Sequence, residues 1–92
     1  MKMEKRTKFQ IYFDVLTLLS REMKSGDLHV PTRVAHEANL PYDRFQRCLD
    51  HLCELGMLSN DPGKLVVTGK GLEYVREYEK INDFLRHMGL VL

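Results

Sequence analysis

The 92-residue sequence predicts a mainly α fold with one small β-hairpin and a long C-terminal helix. Three observations carry this. Apolar residues recur at helical spacing through most of the chain. Two short apolar runs flank the turn-forming cluster Asn60-Asp61-Pro62-Gly63. The last segment places Tyr74, Tyr78, Ile81, Leu85, Met88 and Leu92 at alternating spacings of four and three.

Composition narrows the class. Fourteen Lys and Arg face thirteen Asp and Glu, a formal charge of +1. Such a balance excludes a highly charged disordered tail and argues against blanket coating of polyanions. An apolar share of 43% is ordinary for one globular domain. The apolar runs are too short to span a bilayer, and the first residues show no secretory pattern. Cys48 and Cys53 lie five apart, about 140° around a helix, so they cannot bridge. They read as reduced, partly buried thiols of a cytoplasmic protein.

The elements follow in order. Residues 1–8 form a basic arm, with Lys2, Lys5, Arg6 and Lys8 against Glu4. The arm is either a frayed terminus or a phosphate-touching segment that uses Lys5, Arg6 and Lys8. From Thr7, an N-cap, to about Lys24, the stripe Tyr12, Val15, Leu16, Leu19, Met23 predicts a helix. Phe9, Ile11, Phe13 and Leu18 broaden the stripe, so burial on more than one side is expected. A short strand is expected at 28–30. Thr32 then caps a helix over 33–38 with Val34, Ala35 and Ala38 inward. Asn39-Leu40-Pro41 breaks it. Residues 42–55 place Phe45, Cys48, Leu49, Leu52 and Leu55 on one face, with Gly56 at the left-handed position that ends the helix. The hairpin follows. Thr68 caps a final helix to about Met88, stopped by Gly89, with Leu72 and Val75 toward the core.

Two helices separated by a three-residue break and followed by a hairpin make the pattern of a winged helix-turn-helix. Residues 1–71 constitute that domain with its basic arm, and residues 72–92 a coiled-coil dimerisation helix.

The third helix is the candidate groove reader. Such a helix reads bases mainly with its N-terminal residues, which here include Tyr42, Asp43, Arg44, Gln46 and Arg47. Arg can donate two bonds to guanine, and Gln can pair with adenine. Asp50 and Glu54 repel phosphates, so the helix cannot lie flat along a backbone. Lys64 near the hairpin tip and Thr32 at a helix start are candidate phosphate contacts. The alternative is a solvated helix face in a protein-interaction module without DNA binding. In the final helix, Tyr74, Tyr78, Ile81, Phe84, Leu85, Met88 and Leu92 form the expected homodimer seam; packing against the first helix is its rival.

Enzyme signals are poor. Gly69-Lys70-Gly71 lacks phosphate-loop spacing and reads as a helix opening. No nucleophile elbow marks a catalytic Ser, and no small-molecule substrate or cofactor is evident. Cys48 and His51 could share a metal, but no third ligand has suitable spacing, so neither metal nor cofactor is expected.

The stretch Ala38-Asn39-Leu40-Pro41-Tyr42-Asp43-Arg44-Phe45, with Cys48-Leu49, Leu52 and Gly56-Met57-Leu58, resembles the helix-turn-helix of a known group. So do Leu65-Val66-Val67-Thr68-Gly69-Lys70-Gly71-Leu72-Glu73-Tyr74 and, near the front, Arg6-Thr7 with Ile11, Asp14, Val15 and Leu16. The group is the small archaeal dimeric winged helix-turn-helix DNA-binding proteins of the Sulfolobus ten-kilodalton chromatin-protein type. The resemblance covers nearly the whole chain. It implies a regulator or chromatin component that binds double-stranded DNA, dimerises through an antiparallel two-helix coiled coil, and uses Tyr42, Arg44, Gln46, Arg47 and Lys64 on DNA. Two departures stand out. Pro41 occupies the cap where Ser or Thr is usual. Residues 32–55 hold three Arg against Glu37, Asp43, Asp50 and Glu54, which favours a site-specific regulator, or a relative that has lost DNA binding, over an abundant coat.

Overall fold

A computed structural model describes residues 6–25, 31–61 and 64–90. The elements are α1 (Lys8–Ser25), α2 (Pro31–Glu37), α3 (Tyr42–Glu54), β1 (Leu58–Asp61), β2 (Lys64–Val67) and α4 (Gly69–His87). This is the expected mainly α order, with α2 and α3 around a tight break and the hairpin as wing. The strand expected at 28–30 lies outside the described residues.

Local chemistry sets the boundaries. Thr7 and Gln10 form a reciprocal capping box at the start of α1. The Gln10 amide donates to Thr7 Oγ1 at 3.2 Å, and the Thr7 amide donates to Gln10 Oε1 at 2.8 Å. α2 begins at Pro31, so Thr32 is the helix's second residue and not its cap. Proline's fixed φ suits the first helical position, where its missing N–H costs nothing.

The C-terminal ends of α2, α3 and α4 share one solution. Asn39, Gly56 and Gly89 take positive φ values of 63°, 82° and 76° after α2, α3 and α4. Each following amide reaches back across the last turn: Leu40 to the Ala35 carbonyl, Met57 to Leu52, Leu90 to Leu85. These paired bonds satisfy carbonyls that a helix end would otherwise leave open.

The core collects Ile11, Tyr12, Val15, Leu16 and Leu19 from α1, Val34, Ala35 and Ala38 from α2, and Phe45, Cys48, Leu49 and Leu52 from α3. Leu40, Leu58 and Val67 close it. Leu58 pairs with Val67 across the hairpin, and the register continues to Asp61 with Lys64, leaving a two-residue link.

Three apolar residues expected inside lie outside. Phe9 is 65% exposed, because the first turn of α1 stands beside α4 and off the core stripe. Leu55 is exposed because the helix has ended and it serves as the C-cap. Leu72 is exposed because Gly71, one residue earlier, turns the buried side of α4 inward.

Gly71 governs the join between wing and α4. A Cβ there would stand 2.4 Å from the Met57 carbonyl oxygen and 2.9 Å from a Val67 methyl carbon. Around this approach Thr68 Oγ1 donates to the Gly56 carbonyl at 2.6 Å and accepts from the Gly71 amide at 3.2 Å. Lys70 Nζ donates to the Leu55 carbonyl at 2.7 Å. The first half of α4 then lies on α1. Phe13 and Tyr78 stack with centroids 4.5 Å apart, and the Tyr74 hydroxyl donates to the Phe9 carbonyl at 2.8 Å.

Gly71→Ala is expected to destabilise the fold by ~1–3 kcal/mol through overpacking, a fall in Tm of roughly 5–20 °C for a domain this size. Gly69→Ala, with nothing within 4 Å of the added carbon, is expected to leave Tm unchanged or slightly raised. Parallel thermal melts of the two variants check the pair; equal melting points would remove the packing role of Gly71.

Candidate nucleic-acid interface

The turn between α2 and α3 decides how α3 is presented. Asn39 adopts the left-handed conformation, Leu40 tucks into the core, and Pro41 (φ −58°, ψ 148°) opens α3. The Pro41 carbonyl accepts the first helical bond, from the Phe45 amide at 2.9 Å. Proline has no side-chain oxygen, so no side chain caps this helix.

With Phe45, Cys48, Leu49 and Leu52 buried, the remaining surface of α3 divides along its length. At 100° per residue, Arg44, Arg47 and His51 share one flank, and Asp43, Gln46, Asp50 and Glu54 share the other. Arg44 and Arg47 are exposed and have no hydrogen bond or ion pair among the described residues. On the acidic flank Gln46 makes only a long 3.4 Å contact to Asp50.

The cationic flank faces the start of α1. Lys8, Ile11, Tyr12 and Leu40 meet Arg44, Arg47, Cys48 and His51 around a cleft of about 350 Å³. The Tyr12 hydroxyl and His51 Nδ1 share a hydrogen bond that joins α1 to α3, with the rings edge to face at 5.5 Å. Burial raises the pKa of Tyr12, and neighbouring Cys48 adds to the effect. Burial also pushes the Cys48 thiol up to about 11, with Arg44 pulling weakly the other way. Cys53 is raised by burial and by Asp50. Both cysteines are free. Among the described residues no cluster of three or more His, Cys, Asp or Glu could hold a metal.

The residues anticipated for DNA contact fall into distinct settings. Lys8, Arg44 and Arg47 converge on the cleft. Tyr42 is exposed at the head of α3, its ring 6.3 Å from that of Phe45. Gln46 lies on the opposite flank, Thr32 is exposed in the first turn of α2, and Lys64 pairs across the hairpin with Asp61. Arg6 has a different engagement. Its guanidinium donates to Asp14 at 2.5 Å and to the Ala38 carbonyl at 2.6 Å, linking residue 6 to α1 and to the end of α2. Lys5 lies outside the described residues, as does Leu92 of the anticipated seam. Of the other seam residues, Tyr74 and Tyr78 are half-buried on α1, and Leu85 is half-buried. Ile81, Phe84 and Met88 are about three-fifths exposed.

Sequence reasoning did not anticipate the cleft or the Tyr12–His51 bond. The available signal was spacing: Lys8 and Tyr12 are one turn apart, as are Arg44 and Arg47, with His51 one turn further on.

Comparison with known proteins places a match along most of the chain. The family described as winged helix-turn-helix has a model that matches residues 5–86. No curated protein matches. No helix among the described residues is long and apolar enough to cross a membrane.

The raised thiol pKa predicts a slow cysteine. At pH 8 a thiol with a pKa of about 11 is roughly one-thousandth thiolate, against about one-tenth for an unperturbed one. Alkylation of Cys48 by iodoacetamide in the folded protein should therefore run about a hundred times slower than in urea. It should rise roughly tenfold per pH unit to pH 10. A Cys48 as fast as a free thiol at pH 8 would contradict this.

Proposed function

Because the chain belongs to the winged helix-turn-helix family, we propose that it binds double-stranded DNA as a homodimer and regulates transcription, with α3 directed into the major groove. The observation that carries this reading is the convergence of Lys8, Arg44 and Arg47 on one flank of α3, with no acidic residue lining that cleft. Exposed cations of this kind are what backbone phosphates recruit.

In this reading Arg44, Arg47 and Lys8 hold one DNA strand. Tyr42 and Thr32 add hydroxyl contacts at the heads of α3 and α2, and Lys5 and Lys64 add charge from arm and wing. Gln46 and Asp43 lie on the side of α3 turned away from the cleft, suited to adenine and to the cytosine amino group respectively. Arg6 serves as an anchor for the arm, since Asp14 and the Ala38 carbonyl engage its guanidinium. The acidic flank favours recognition of chosen sites over uniform coating of the kind a chromatin component performs.

The homodimer rests on α4. Beyond its contact with α1, the helix exposes Ile81, Phe84 and Met88, and Leu90 follows. Phe9, Tyr74, Tyr78 and Ile81 line an apolar groove continuous with that surface. Exposed apolar side chains clustered along one helix mark an association surface more often than a solvated one.

A protein-interaction module is the second reading, favoured by one feature, the exposed carboxylates Asp43, Asp50 and Glu54 on a single flank. A gel shift with random duplex DNA at low salt separates the two; no shift at any protein concentration favours the module.

Arg44→Ala combined with Arg47→Ala is expected to weaken DNA binding at least tenfold and to reduce the slope of log K against log salt by about two per protomer. An unchanged affinity and slope would refute the cationic flank as the phosphate contact. Ile81→Asp with Phe84→Asp, both at exposed positions, is expected to leave the fold intact and yield a monomer in sedimentation velocity. A persisting dimer would assign the interface elsewhere.

A further inference from the structure

We infer that the cleft between α1 and α3 is a binding site for a small organic carboxylate, an anionic head carried on an apolar body. The floor is made by Ile11, Tyr12, Leu40 and Cys48. These are the four least completely buried members of the core, at 5–9% exposure, and every other core residue is at 4% or below. The residual exposure of the core therefore collects in one place, under this opening. The rim is cationic, with Lys8, Arg44 and Arg47 beside His51 and no Asp or Glu. The volume, about 350 Å³, falls within the ~300–1,000 Å³ typical of small-molecule sites.

Floor and rim together define the ligand class. A bare phosphate would use the cations and leave the apolar floor in water. A neutral apolar molecule would cover the floor and leave the guanidinium groups without an acceptor. A carboxylate on a ring or short chain serves both, and guanidinium groups bind carboxylates with paired hydrogen bonds. The Tyr12 hydroxyl occupies His51 Nδ1, so Nε2 is the imidazole nitrogen left for a ligand. Bound there, the carboxylate engages Arg44 and Arg47, the residues assigned above to DNA phosphates. Ligand and DNA then compete, and the cleft acts as an effector site. This competition rests on the DNA-binding reading; the ligand site does not.

The test uses the full chain without DNA first. Benzoate is titrated and followed by amide chemical shifts, beside its neutral counterpart benzamide and inorganic phosphate. Saturable shifts centred on Tyr12, Leu40, Cys48 and His51, with benzamide and phosphate each at least about tenfold weaker, are expected. Arg44→Gln with Arg47→Gln should weaken benzoate about tenfold or more, while Lys80→Gln, on α4, should change nothing. Failure of benzoate to saturate by about 50 mM, or binding of benzamide or phosphate as tight as that of benzoate, overturns the site. In a second arm, saturating benzoate should lower the affinity for duplex DNA. Benzoate that binds without changing DNA affinity overturns the competition. A protein that shifts with benzoate and never binds DNA supports the cleft and overturns the DNA reading, so the two failures are distinguishable.

Discussion

Gly71 stands closer to the Met57 carbonyl than any side chain would allow, and that approach fixes the second half of the molecule. The carbonyls of the chain just past α3 are met from the start of α4. Lys70 takes the Leu55 carbonyl, the Thr68 hydroxyl takes that of Gly56, and the Thr68 amide takes that of Met57 at 3.1 Å. A cationic side chain on the last carbonyls also suits the negative end of the helix. With its origin fixed there, α4 runs back over α1, where Tyr74 and Tyr78 meet Phe9 and Phe13. The hairpin between the two anchored points is left to project as the wing.

The opposite end of α3 is held as tightly, by different chemistry. Asn39 reverses the chain, Leu40 enters the core, and Arg6 donates to the Ala38 carbonyl just before the turn. Asp14 orients the same guanidinium from α1, so one side chain relates α1 to the end of α2. Arg33 and Glu22 add an ion pair between α2 and α1. Along α3 itself the Tyr12–His51 bond sets the helix against α1. The cleft is the geometric remainder: helices joined at their floor by Tyr12, His51 and Cys48, with Lys8 and the arginines around its opening.

Much of this was legible in the sequence, and the gaps have physical causes. Periodicity located all four helices because each buries one stripe, and the Asn-Asp-Pro-Gly cluster located the hairpin because few residues accept a two-residue reversal. Leu55 and Leu72 misled because periodicity assumes a continuing helix, whereas one sits in a cap and the other follows a glycine pressed onto backbone. Thr32 misled because Pro31, one residue before it, already takes the first helical position and leaves the threonine inside the helix. Arg6 read as part of a frayed or phosphate-touching arm because its partners in the fold lie 8 and 32 residues away. The cleft was hidden for a related reason. Lys8 and Tyr12 come within reach of Arg44 and His51 only through the crossing of α1 over α3, which no local pattern encodes. The heptad in α4 is real as a pattern, yet Tyr74 and Tyr78 pack toward α1, Leu85 is half-buried, and Ile81 and Met88 are exposed, so spacing alone could not apportion it.

The division of α3 into two charged flanks constrains how any polyanion can meet it. Asp43 and Asp50 stand four and three residues from Arg47, neighbours on the helix surface, so a phosphate seated against Arg44 and Arg47 also meets these carboxylates at close range. Lowering the salt extends the reach of both signs, so repulsion from the acidic flank grows along with attraction to the basic one. An approach with the axis of α3 parallel to a phosphate strand would bring both flanks within range and lose most of the gain. A tilted approach, with the Tyr42 end leading and the basic flank toward one strand, keeps the carboxylates over the groove. There the exposed amino groups of bases can meet them. On the DNA-binding function proposed for this chain, with α3 entering by its first turn, the carboxylates that weaken general affinity for nucleic acid would be placed to select among bases.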